Sequence, residues 1–319
     1  MQRVAPFAAA HYGAFPLHEA HRSGITDRVI HRALVVGEIE TMFETTYRFA
    51  GAPVTWRTKL IAAVWAGGAR AVASHESAAR LHGLPVRADD DLVVITCPRW
   101  RRARHPGLTV HETKAMESID VTQVGGIRVT SVARTLLDMA AIVRIGALER
   151  LLENALRREI VTLVELDQLL RRLSRPGRGG LRSLRMLVQA RLANPSFRPT
   201  ESEAETMLLQ AIRRGGLPEP ARQFPVYHGR AFIGRPDLSY PDARICIEYD
   251  SDEFHTGYVA TASDSARRHR MIRAGWLPIT AVKSDLRAGG SLFCAALDAA
   301  LRDRTHSLWR HTATHTRVV

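Results

Sequence analysis

Lysine is nearly absent. Lys59, Lys114 and Lys283 are the three in 319 residues, so arginine carries almost all of a strongly basic balance with a formal net charge of +13. Cysteine is equally scarce. Cys97, Cys246 and Cys294 are odd in number and far apart, which excludes a disulfide framework and a cysteine-based metal cluster and points to reduced thiols. No apolar run is long enough to span a bilayer: Leu60–Ala73 is short and Arg70 interrupts it, so no membrane partner is expected. The start lacks a basic stretch followed by a long apolar one, so no signal peptide is expected and the cytoplasm is the expected location. No Walker motif occurs, and Gly177-Arg178-Gly179-Gly180 reads as a basic loop, not a dinucleotide fingerprint. No internal repeat is visible.

An apolar fraction of 45% permits ordinary packed cores. A pI near 10.6 favours a polyanionic partner, above all nucleic acid. Against that background, a small acidic hairpin stands out. Arg235-Pro236-Asp237-Leu238-Ser239-Tyr240 and Ile245-Cys246-Ile247-Glu248-Tyr249-Asp250 read as two strands joined by the turn Pro241-Asp242-Ala243. Side chains alternate along a strand, so Ile245, Ile247 and Tyr249 share a core face while Cys246, Glu248 and Asp250 share the other. A tight turn centred near Asp242 sets Asp237 across from about residue 247. A one-residue register change or a diagonal pairing brings it beside Glu248. Opposed carboxylates about 5 Å apart repel, so one becomes harder to ionise or a cation is recruited. Mg²⁺ or Mn²⁺ takes such oxygen ligands, activates water and offsets charge on a phosphate. The same residues also suit a solvated acidic edge.

Asp237, ten intervening residues and then Glu248-x-Asp250 resembles the PD-(D/E)xK nuclease superfamily, in particular domains related to very-short-patch-repair endonucleases. Neighbouring phrases agree in order: Ser202-Glu203-Ala204-Glu205 opening a helix, Gly216–Pro220, Arg222-Gln223, His255, Asp264 and Arg267 before Gly275-Trp276, and Asp285-Leu286. The resemblance covers about residues 198–300. It implies a mixed sheet flanked by helices, Glu205, Asp237 and Glu248 as acids of a Mg²⁺ (or Mn²⁺) site, and supporting roles for Asp264 and Arg267. The superfamily's lysine is missing, and Asp250 stands in its place. His255 is then the candidate for proton transfer. Ser251 replaces a common glycine.

Residues 13–50 read as a helix-turn-helix unit with a wing. Leu17–Ser23 is the first helix, Gly24-Ile25 the turn, and Thr26 the cap of a second helix that stops at Gly37. Arg22, Thr26, Arg28, His31 and Arg32 are the candidate DNA contacts, although a solvated helix face has the same look. Residues 13–150 resemble the antitoxin partner of AbiE-type abortive-infection systems. The matching phrases are the opening "GAFPLHEAHRSGIT", Tyr47-Arg48, Ser74–Ala79 with Leu81–Leu84, Val93–Pro98, and Val129–Ser131 followed by Arg134–Asp138. The resemblance implies double-stranded DNA binding, autoregulation and a toxin partner. Glu38, Glu40 and Glu44 make this wing acidic, so contact is expected through the helix. His75 and His82 lack zincin spacing and read as structural. The run Pro98–His105 is basic with one tryptophan, and Arg171–Arg191 holds seven arginines and no acid.

The expected organisation is an α/β chain, α+β overall. A winged helix-turn-helix head (1–52) precedes an antitoxin-like α/β domain (53–170), a basic helix or linker (171–197), an endonuclease-like domain (198–303) and a flexible tail (304–319). The expected function is DNA binding coupled to Mg²⁺-dependent phosphodiester cleavage. The alternative is a non-catalytic antitoxin-like regulator that binds DNA and a toxin. DNA against RNA and the oligomeric state stay open.

Overall fold

The computed structural model describes the chain except residues 88, 100–104, 175–179, 196, 251–257, 283–284, 287–289 and 316–319, and the side chains of residues 250, 258–264 and 306–315. Helices and mixed sheets make an α/β chain that divides into two compact units, Met1–Ala193 and Asn194–Val319.

The first unit begins with the expected helix pair and hairpin. After α1 (Ala5–Ala10) come β1 (Ala14–Pro16), α2 (Leu17–Arg22), α3 (Asp27–Val35), β2 (Ile39–Phe43) and β3 (Thr46–Phe49). The strands form an antiparallel sheet in the order β1-β3-β2. Ile30 and Ala33 turn one face of α3 onto Phe15, Ile25 and Ile39. Gly37, with φ +73°, ends the helix as a left-handed glycine does. Thr45 takes φ +66° at the hairpin tip, a conformation that disfavours a β-branched side chain.

The expected boundary at residue 52 does not divide the core. Ala14 and Phe43 of the head share one apolar cluster with Leu60, Ile61 and Val64 of α4 (Trp56–Ala66). That helix is apolar nearly all round and correspondingly buried. Behind it lies a mixed five-stranded sheet in the order β6-β5-β4-β8-β7, built from β4 (Val72–Ala73), β5 (Val93–Cys97), β6 (Leu108–Glu112), β7 (Val121–Val124) and β8 (Ile127–Thr130). Short α5 (His75–Leu81) and the amphipathic α6 (Val132–Ala140), α7 (Ile145–Arg157) and α8 (Leu163–Arg172) complete the layer.

Residues 171–197, expected as a basic helix or linker, hold a helix and mostly belong to this unit. Leu181, Leu184, Leu187 and Val188 give α9 (Leu181–Leu192) a buried stripe. Arg191 is buried too: its Nη2 lies 2.9 Å from Glu149 Oε1 and 2.6 Å from Glu153 Oε1, both on α7. Leucine spacing and this ion pair outweigh the helix's basic composition.

The second unit carries α10 (Glu203–Arg214), then β9 (Ala221–Arg222), β10 (Val226–His228), β11 (Ala231–Gly234), β12 (Leu238–Tyr240), β13 (Ile245–Asp250), α11 (Tyr258–Arg273), β14 (Leu277–Val282) and α12 (Ser291–His315). Its main sheet has the order β14-β13-β12-β9, with β10–β11 as a separate hairpin. Strand β13 runs antiparallel to β12 and parallel to β14. One sheet face packs Ile245 and Ile247 on Leu208 and Ile212 of α10 and Phe293 and Leu297 of α12. The other packs Cys246 with Val226, Ile233, Met271 and Trp276. Helical backbone continues to His315, through much of the expected tail.

Removing one partner of a buried ion pair leaves uncompensated charge. Arg191→Leu should therefore lower the unfolding free energy by about 3–5 kcal/mol. Urea melts of the variant and the wild type measure it; a loss under about 1 kcal/mol would contradict the structural role assigned to Arg191.

Candidate functional site

Register decides what the acidic hairpin can do. Leu238 pairs with Ile247, Ser239 with Cys246 and Tyr240 with Ile245. Extended by one position, that ladder sets Asp237 opposite Glu248, the second of the two registers the sequence allows. Asp237 occupies a bend just before β12, and its Oδ2 accepts the Tyr249 backbone N–H at 2.9 Å. Its own carbonyl accepts the Gln223 N–H. The carboxylate thus holds a backbone donor just where the strand ladder stops.

Glu205 comes from the first turn of α10. Ser202 caps that helix by accepting the Glu205 N–H at 3.0 Å, and Glu205 Oε2 reaches back to accept the Glu201 N–H at 2.5 Å. The side chain is 1% exposed. Its other oxygen, Oε1, is buried with no hydrogen-bond partner. Burial raises its pKa to about 7; the Glu201 N–H pulls it down, while the negative charge of Asp237 adds to the rise. Burial raises Asp237 as well, against the Tyr249 N–H and Arg267. Two carboxyl groups whose pKa values burial raises therefore sit within electrostatic reach of one another.

Glu248 faces differently. Its Oε1 lies 3.0 Å from Arg267 Nη2 on α11, and both side chains are about one-third exposed. Among the described residues no three or more His, Cys, Asp or Glu side chains converge closely enough to hold a metal ion. The site is an acid pair, Glu205 and Asp237, with Glu248 beside it on an arginine. Asp250 ends β13 and Asp264 lies on α11; the side chains of both fall outside the described residues, as does the whole of His255. Arg267, expected to brace the site or touch phosphate, is the residue that pairs with Glu248. Gln223, by contrast, carried no assigned role. It has φ +51°, and its buried Nε2 has no hydrogen-bond partner. The adjoining phrase Arg222-Gln223 was the signal available for it.

None of the cysteines competes for this chemistry. All three are free and buried, and burial first, then Glu248, pushes the Cys246 thiol to about 11.

In the head, Arg28, His31 and Arg32 lie exposed on α3. Thr26 holds the N-cap position, but its side chain makes no cap bond. Arg22 is tied to Glu19 at 2.5 Å. The wing is less acidic than its composition suggests, because Glu40 pairs across the hairpin with Arg48 at 2.5 Å. His75 and His82 are internal. His75 stacks on His111 with centroids 3.7 Å apart, and burial, His111 and Arg134 hold its pKa near 3. His82 Nε2 lies 2.7 Å from the Thr130 carbonyl. Arg134 and Asp138, in the antitoxin-like phrase, form a buried pair at 2.8 Å. Most of the basic run Pro98–His105 falls outside the described residues.

No protein-family model matches the chain. Over 220 residues it is 27% identical to the uncharacterized proteins MT2308 and Rv2248 of Mycobacterium tuberculosis, a span of 69% of this chain and 77% of each of theirs. A crystal structure of the Rv2827c protein from Mycobacterium tuberculosis is similar over 59% of this chain and 76% of that one, with TM-score 0.39 and 15% identity.

The state of Glu205 has a measurable consequence. Its folded pKa lies above the ordinary glutamate value, so the fold is destabilised as pH rises from that value through about 7. The full effect is roughly 3 kcal/mol, reached above neutrality and absent only below the ordinary glutamate pKa. Glu205→Gln should flatten this dependence and raise the melting point of the second unit in alkaline buffer. A variant that melts with the wild-type pH dependence would refute the assignment.

Proposed function

We propose that the second unit is a Mg²⁺- or Mn²⁺-dependent phosphodiesterase domain, endonuclease-like, acting on nucleic acid, and that the head binds double-stranded DNA. One observation carries the reading: the buried Glu205 Oε1 lacks a hydrogen-bond partner beside a second carboxyl, Asp237, whose pKa is also raised. An orphaned carboxylate oxygen is costly unless a proton or a cation meets it. Hard oxygen donors in that arrangement fit a divalent cation.

In this reading Glu205 and Asp237 would hold the ion, with Glu248 beside them. A divalent cation there would supply a more acidic water and offset phosphate charge. The chain's own groups do the rest. The Tyr249 N–H fixes the Asp237 carboxylate, so it enters the site pre-oriented. Arg267, once separated from Glu248, is a guanidinium within reach of the phosphate. Asp250, in the position of the superfamily's lysine, supplies no positive charge, so proton transfer falls to another group, His255. A cytoplasmic location agrees with the reduced cysteines; among the described residues no helix is long and apolar enough to cross a membrane.

A second reading has its own support. Glu248 is engaged by Arg267, and among the described residues no third acid joins the pair, as suits a non-catalytic antitoxin-like regulator that uses the head on DNA and another surface on a toxin.

Calorimetry with Mn²⁺ should show one site that Asp237→Ala and Glu205→Gln each weaken at least tenfold, about 1.4 kcal/mol or more. Cleavage of labelled DNA with Mg²⁺ or Mn²⁺ should vanish in Glu248→Ala while duplex binding persists. Wild-type protein that neither binds Mn²⁺ nor cuts, yet binds duplex, would leave the regulator reading standing. For the head, replacing Arg28 and Arg32 by alanine should reduce the slope of log affinity against log salt by about 0.9 per lost phosphate contact. An unchanged slope would remove α3 from the interface.

A further inference from the structure

The β10–β11 hairpin presents an aromatic pair to solvent. Tyr227 and Phe232 face each other across the strands, each more than half exposed, with ring centroids 5.6 Å apart and planes at 64°. A register shift between Val226 and Tyr227 separates two halves of the hairpin. Below it, Val226 and Ile233 are buried with Met271 and Trp276. Above it, residues 227–232 are all exposed. A bulge re-aims the side chains that follow it. Gly229, with φ +61°, makes the two-residue turn. The tip is thus an exposed ring pair on an anchored stem. Large apolar side chains in such a position lower solubility unless something covers them.

Charge and position point to what covers them. From Arg222 to Pro236 the chain carries Arg222, Arg230, Arg235 and His228 and no acid, and His228, Arg230 and Arg235 are exposed. The stem ends against the acid site. A Cβ on Gly234 would lie 3.3 Å from Arg267 Cδ, and Arg267 is the residue bonded to Glu248. Phe232 is two residues from Gly234, about 7 Å along a strand, which is about two stacked base steps of a nucleic-acid strand. Basic residues track a phosphate backbone while aromatic faces take bases, which is how single strands are held.

We propose that Tyr227 and Phe232 form a stacking platform for an unpaired base, so that the second unit prefers single-stranded or locally opened nucleic acid to intact duplex. The inference rests on the nucleic-acid reading of that unit. It does not depend on metal, which lets the two be tested apart. A base inside a duplex already stacks on its neighbours and has no free face to offer; one freed from the stack does.

The test uses the full chain in EDTA with a fluorescein-labelled oligothymidylate and, separately, the matching duplex. Tyr227→Ala with Phe232→Ala should lose about tenfold or more in affinity for the single strand and less than about twofold for the duplex. Tyr227→Phe, which keeps the ring, should bind the single strand like wild type. Equal losses on both substrates, or none on either, would overturn the proposal. So would a double variant whose melting point falls, which would make the pair structural. A double variant that sediments as a smaller species than wild type would also overturn it, because the patch would then be docking a second copy. If Mn²⁺ binding fails at Glu205 and Asp237 while the single-strand loss is observed, the metal reading falls and the platform stands; the converse result separates them the other way.

Discussion

One hydrogen bond, from the Tyr249 backbone N–H to Asp237 Oδ2, holds the second unit's acidic cluster in place. It continues the β12–β13 ladder beyond its last backbone pair with a side chain. Through it, Asp237 stays opposite Glu248 and within electrostatic reach of Glu205. A slip of one residue would carry Glu248 to the core face and Ile247 to the site, since side chains alternate strictly. The turn Pro241–Arg244, with Arg244 at φ +49°, and the packing of Ile245 and Ile247 on α10 oppose that slip.

The face pattern was legible in the sequence; the register was not. Ile245, Ile247 and Tyr249 alternate with Cys246 and Glu248, and a period of two needs no partner strand to be read. Which residue faces Asp237 depends on a turn whose closing residue takes a left-handed conformation, and Arg244 gives no local sign of that. Cys246 stands on the face opposite Ile245 and Ile247, as the alternation implies, but its burial was not legible, because α11 and the β10–β11 stem cover that part of the face with a second small core. The layer arises from segments remote in the chain, beyond the range of strand periodicity. Glu205 was placed at the site by resemblance alone, and its raised pKa and orphaned oxygen come from burial.

Arginine's near-monopoly on positive charge is partly architectural. Arg191 closes over Glu149 and Glu153, Arg134 over Asp138, and Arg172 joins Glu117 and Asp120. Each guanidinium offers several directed donors to fixed carboxylates, which an ammonium group cannot match. The net charge therefore overstates the surface offered to a polyanion. Arg171–Arg191 shows the difference: its composition suggested a solvent-facing basic helix or linker, and its leucines together with Arg191 make its helix part of the first unit's core.

Two of the three candidate acids have duties apart from catalysis. Asp237 caps the Tyr249 N–H and Glu205 caps the Glu201 N–H, so selection for a stable fold preserves both whether or not phosphate is ever cut. Glu248, by contrast, pairs with Arg267 at the partly exposed edge of the site, and such a pair contributes little to stability. In a lineage that had abandoned cleavage, Glu248 would be the first of the three to drift, and its fate among descendants would record the loss while the other two stayed silent.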